Sequence, residues 1–118
     1  MSDVSGFFEH HIICKLFHFQ TVSGFRHTKM DGYITKFLLN FDSFMEVLQG
    51  QFGTINTTSV KINITAKTDD HIIQHFDDMI AFLIDLKVNN NNLSPDLLAI
   101  RDQMIADLQQ IKYLFSFN

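Results

Sequence analysis

Two polar pairs at a spacing of four lie in the first half of the chain: His27 with Asp31, and Asp42 with Glu46. At about 100° per residue, four residues of α-helix return nearly to the starting face, so both members of a pair would present their ligand atoms on one side. His27, Asp31, Ile34, Leu38 and Asp42 then share one stripe, with Glu46 beside it. The apolar residues between the pairs predict that this stripe is partly buried. Carboxylates there need hydrogen-bonded partners or a cation, because a bare buried charge costs several kcal/mol. Mixed imidazole and carboxylate donors suit iron or zinc better than calcium.

One ion cannot use both pairs of a single helix. His27 and Asp42 lie about 22 Å apart along a helix that rises ~1.5 Å per residue. Two copies packed antiparallel about a two-fold axis remove the difficulty. The His27/Asp31 end of one copy then meets the Asp42/Glu46 end of the other, and this happens twice. The spacing therefore predicts a metal site shared across an interface between two copies. Other candidates carry less. His71, His75 and Asp78 have ligand-like spacing but read as a solvated helix face, and His10 and His11 read as surface residues. Cys14, the one cysteine, reads as a small buried hydrophobe and excludes an internal disulfide framework or a Cys-rich zinc site. Neither a Gly-rich phosphate loop nor zinc-finger spacing is present.

The elements that must position these residues read as four helices. The first runs from about Ser5 to Thr21, with Phe8, Ile12, Leu16 and Phe19 on one face and Ile13 and Phe17 widening it. So broad an apolar surface predicts contact with another subunit. The second runs from about Phe25 to Gln49, with a seam of Phe37, Phe41, Phe44 and Leu48 and with Gly50 placed as the cap. Gly32 inside it predicts the close approach of a neighbouring helix. Residues 51–68 are rich in Thr (Thr54, Thr57, Thr58, Thr65, Thr68), and Val60, Ile62 and Ile64 alternate with polar neighbours. The local pattern is that of a strand, but a lone strand has nothing to pair with. The segment reads as an extended crossover, or as a strand that pairs across a subunit boundary. The third helix runs from about Asp69 to Val88, and a four-Asn turn follows. The fourth opens with Ser94 as N-cap and Pro95 at the first helical position. Short connections flank a long middle one, which lets helices two and three run parallel as in ferritin-like folds. The expectation is a single all-α domain over residues 1–118, a ferritin-like four-helix bundle with a long crossover between helices two and three.

The stretch His18-Phe19-Gln20-Thr21, followed by His27, Asp31, Asp42 and Glu46, resembles the signature of miniferritins, the DNA-protecting ferritins of starved cells. The resemblance covers residues 15–50. It implies a ferroxidase centre between two-fold-related subunits, with His18, His27 and Asp31 from one and Asp42 and Glu46 from the other. It further implies iron(II) as the ion oxidised there, by oxygen or peroxide. Ile100-Arg101-Asp102 and Tyr113-Leu114-Phe115 resemble the end of small uncharacterised ferritin-like proteins of phages and large DNA viruses. That second resemblance implies the alternative: a ferritin-like structural or accessory viral protein without metal chemistry.

Composition narrows the partners. Hydrophobic residues make up 46% of the 118 and charged residues 19%, enough to build a core and too apolar for disorder. The net charge of -4 argues against broad phosphate contacts, so DNA binding is not expected despite the resemblance. No apolar run approaches the roughly 18 residues of a membrane span. The opening Met1-Ser2-Asp3-Val4-Ser5-Gly6 lacks a basic stretch followed by an apolar one. The expectation is a homo-oligomer, dimer or larger, in the cytoplasm, or in host cytoplasm or virion if viral.

Overall fold

Local signals start and stop the helices in the computed structural model, which describes residues 4–56 and 60–117. The elements are α1 (Val4–Gln20), α2 (Gly24–Phe52), α3 (Ile72–Ile84) and α4 (Pro95–Phe115). Ser23 caps α2 by accepting a hydrogen bond from Arg26 N at 3.1 Å. Ser94 does the same for α4 through Leu97 N at 3.4 Å, with Pro95 directly behind it. No strand forms among the described residues, where an isolated bridge between Val88 and Asn91 closes the turn before α4. That turn places Asn89 and Asn90 at φ 52° and 64°, a left-handed geometry that Asn tolerates better than most residues. The all-helical architecture fits a four-helix bundle.

Several boundaries and faces differ from the sequence reading. Helix α2 runs through Gly50 and stops where Gly53 takes φ 89°, its N–H bonded to Gln49 O. Asp69 and Asp70 precede α3 rather than opening it, and α3 ends at Ile84. Gly32 is exposed, and a Cβ there would meet nothing within 4 Å, so no helix approaches it closely. The close approach falls instead at Gly6, where a Cβ would sit 2.7 Å from the Phe82 ring of α3. The buried residues of α1 are Val4, Phe7, His10, Ile13, Cys14, Phe17 and His18. Phe8, Ile12 and Leu16 are half-buried beside them, and Phe19 is exposed. Of the Thr-rich segment, Thr57 and Thr58 lie outside the described residues, as do Met1, Ser2 and Asp3.

Phenylalanine fills the core because flat rings close the gaps between helices at little entropic cost. Phe7 lies against Phe41 (5.2 Å between centroids), Phe44 (5.1 Å) and Phe82 (5.6 Å). Phe115 of α4 meets Phe17 at 5.7 Å and Phe76 at 5.5 Å. Each fully buried ring contributes about 1.5–3 kcal/mol. Between helices the polar contacts report direction. Lys36 bonds Gln110 and Asn40 bonds Asp107, so α2 and α4 are antiparallel. Lys112–Asp77 and Arg101–Ile84 O show the same for α3 and α4. His10–His75 together with the Gly6–Phe82 contact show it for α1 and α3.

Among the described residues, Arg26 is the one buried Lys or Arg. Its Nη1 donates to Asp69 O at 2.8 Å and lies 3.5 Å from Asp69 Oδ1; its Nη2 donates to Phe115 O at 3.2 Å. The guanidinium also covers the Phe115 ring, 4.9 Å from its centroid. Replacing it with Met keeps the apolar stem and removes three polar contacts. Arg26→Met should lower stability by about 2–3 kcal/mol, read from the urea midpoint at unchanged slope. A midpoint equal to wild type would show that the cation contributes nothing.

Candidate metal centres

The short α1–α2 turn folds His18 and His27 onto one another. Their rings stack at 3.9 Å between centroids and 17° between planes. His18 Nδ1 lies 3.0 Å from His27 O, and His27 Nδ1 lies 2.7 Å from His18 O. A carbonyl oxygen can only accept, so each Nδ1 carries a proton and Nε2 is the nitrogen of each ring that could take a metal. This is the way a metal-binding imidazole is normally held, its second nitrogen bonded to a carbonyl that fixes ring and tautomer. Asp31 Oδ1 lies 4.0 Å from His18 Nε2, with Asp31 itself 68% exposed. Three of the expected site residues are therefore neighbours in one chain. Asp42 and Glu46 are not among them: both are exposed, about 16 and 22 Å beyond Asp31 along α2 at ~1.5 Å per residue. Among the described residues neither has a hydrogen bond or ion pair. The partly buried stripe expected for these carboxylates is, within one chain, a solvent-facing one.

A second cluster lies inside the bundle, and sequence reasoning missed it. His10 was expected at the surface and is 1% exposed. Its Nδ1 lies 2.8 Å from His75 Nε2, and its Nε2 lies 2.7 Å from the buried Tyr33 hydroxyl. Cys14 Sγ, one turn along α1, approaches the two ring nitrogens at 3.9 and 3.5 Å. One donor atom each from His10, Cys14 and His75 falls within 4.8 Å of the others. His75 correspondingly leaves the solvated face assigned to it and is half-buried, while His71 and Asp78 stay exposed. A groove of about 290 Å³, lined by Glu9, Asn63, Lys67 and Asp78, reaches His10 and His75 from outside. The signal available in sequence was the 7, 10, 14, 17 spacing, which puts His10 and Cys14 on the same face as Phe7 and Phe17.

Burial dominates the electrostatics of this cluster. It pushes His10 well below the ordinary histidine value, and the neighbouring His75 and then His11 push the same way. His75 is lowered to about 4 by burial and then by Lys67, with Asp78 partly opposing. Burial raises the Cys14 thiol. The Tyr33 hydroxyl is also pushed up, chiefly by burial. Both imidazoles are thus neutral at pH 7, and one proton between them and one toward Tyr33 define a hydrogen-bonded chain. No protein-family model, curated protein or solved structure matches this chain. None of the described helices is long and apolar enough to cross a membrane.

An imidazole whose pKa falls on folding binds protons more readily in the unfolded chain. Stability therefore rises with pH between the two values, from about 4 to 6.5 for His75, and is level above. The metal-free protein should lose urea resistance as pH falls from 6.5 to 4. His75→Gln should flatten that slope by up to ~1.4 kcal/mol per pH unit. Parallel pH profiles for the two proteins would contradict the burial argument.

Proposed function

We propose that this chain is a ferritin-like iron-binding protein whose site is shared by two copies. His18, His27 and Asp31 come from one copy, and Asp42 and Glu46 from the other. The orientation of the stacked histidines carries the reading: both Nδ1 atoms are committed to backbone carbonyls, which leaves the Nε2 of each ring for a ligand, and His18 Nε2 lies 4.0 Å from Asp31 Oδ1. The donor set fits iron, with neutral imidazoles as borderline ligands and carboxylates that offset its charge. Iron(II) is the substrate of such a site, and ferroxidase activity is the chemistry it would support. The task of this chain's residues is to hold and orient the ion.

Three further features support the reading. The contacts that make α2 antiparallel to α4, and α4 antiparallel to α3, imply that α2 and α3 run parallel across the connection 53–71. A parallel pair joined by a long connection is what a ferritin-like crossover requires, and it supports the reading. Asp42 and Glu46 are exposed and have no hydrogen-bond or ion-pair partner among the described residues, as ligands meant for a second copy would. Around them lies apolar surface on the same side: Leu39 of α2 is 66% exposed, and Leu38 and Met45 are half-buried. A second copy is a natural cover for such a patch.

The test is complementation. Wild type should bind iron(II) stoichiometrically under anaerobic titration, whereas His27→Ala and Asp42→Ala should each abolish binding. Refolding the two variants together should restore roughly a quarter of the sites, because half the dimers are mixed and each holds one intact site. A site within one chain cannot be repaired by exchange. Wild type that binds no iron while it assembles normally would favour the structural or accessory role in a virus or phage.

A further inference from the structure

We infer that His10, Cys14 and His75 form a second, intrachain site for one thiophilic d10 metal ion, copper(I) or zinc(II), held by two imidazoles and a thiolate. It uses none of the residues of the proposed iron site; along α1 its donors His10 and Cys14 lie about 12 and 6 Å from His18. Its donors come from α1 and α3, and Tyr33 of α2 positions one of them.

The geometry is close to that of a trigonal ion. With metal–nitrogen bonds of ~2.0 Å and a metal–sulfur bond of ~2.3 Å, three donors at 120° lie roughly 3.5–3.8 Å apart. Cys14 Sγ already lies 3.9 Å from His10 Nδ1. The two imidazoles, 2.8 Å apart as a hydrogen-bonded pair, need to open by roughly 0.7 Å to admit the ion. His75 is half-buried and able to make that movement, while the fully enclosed His10 stays in place. The nitrogen of His10 that faces the ion is settled by its other contact. If Nδ1 binds metal, Nε2 carries the proton and donates it to the Tyr33 oxygen at 2.7 Å. Tyr33 is then a positioning residue that fixes ring and tautomer.

Charge and softness select the ion. The cluster offers sulfur and nitrogen but no carboxylate within the donor set, which disfavours hard, oxygen-seeking ions such as iron(III). Binding replaces the Cys14 S–H bond with a metal–sulfur bond and releases the proton to solvent, and a thiolate with copper(I) sums to zero charge in a buried setting. Zinc(II) would leave one positive charge and would call for a fourth ligand, which the groove at Asp78 can supply as water.

The experiment uses full-length, chelator-stripped protein, titrated anaerobically with copper(I) against a chromophoric copper(I) chelator and with zinc(II) against a chromophoric zinc chelator. The expected result is one ion per chain. Cys14→Ala and His75→Gln should weaken binding by roughly 100-fold or more, and Tyr33→Phe by about 10–100-fold. Asp42→Ala should leave this binding unchanged, and Cys14→Ala should leave iron(II) binding unchanged, so the two proposals succeed or fail separately. Tighter copper(I) identifies a three-coordinate site, and tighter zinc(II) one completed by water. Circular dichroism checks each variant, and His75→Gln, at the groove wall, decides the matter if Cys14→Ala does not fold. Absence of stoichiometric binding of both ions by wild type would overturn the inference. So would binding that survives the loss of Cys14 or His75, or that disappears with Asp42.

Discussion

A guanidinium taken almost wholly out of water at the start of α2 obliges three distant pieces of chain to converge on it. Arg26 needs acceptors, and those within reach are Asp69, where the long connection ends, and the carbonyl of Phe115 in the last turn of α4. That carbonyl belongs to the last turn of a helix, where backbone acceptors lack intrahelical partners, so the contact answers a need on both sides. The Arg26 Nε is buried with no hydrogen-bond partner among the described residues. The α1–α2 turn, the entry to α3 and the exit of α4 thereby meet at one end of the molecule. The His18–His27 stack lies at that same end, on the turn that Arg26 holds in place.

The features written into short windows of sequence were legible. Ser94-Pro95 announces α4, the seam Phe37-Phe41-Phe44-Leu48 is buried as read, and the association of His18, His27 and Asp31 follows from a short turn between two helices. Ambiguity arose wherever two residues could satisfy one local rule. Gly50 and Gly53 both can end a helix, and only the path of the following chain chooses the later one. On α1 two apolar faces compete, one through Phe8, Ile12 and Leu16, the other through Phe7, Ile13 and Phe17. The second wins because the rings of Phe41, Phe44 and Phe82 wait opposite Phe7. The burial of His10 was least legible of all. Its partners, Tyr33 and His75, are 23 and 65 residues away, and no local pattern shows that a polar side chain will find both.

The two histidine clusters illustrate two ways of preparing imidazole. At the α1–α2 turn, the backbone holds each ring through its Nδ1, with His18 buried and His27 exposed. In the core, side chains hold the ring, and desolvation strips it of charge. Imidazole beside a carboxylate favours a borderline ion. A largely buried cluster with sulfur favours a soft one.

The order of the contacts along the chain has a kinetic consequence. Helices α1 and α2 are joined by a three-residue turn, 21–23, and clasped by reciprocal histidine–carbonyl bonds, so this hairpin closes over a short loop. The α3–α4 hairpin is similarly local. Docking the two against each other is different, because the Asn40–Asp107 contact spans 67 residues of sequence. Loop-closure entropy therefore concentrates in that docking step, and the folding barrier should be sensitive to the length of the connection 53–71 and little affected by the hairpin turns.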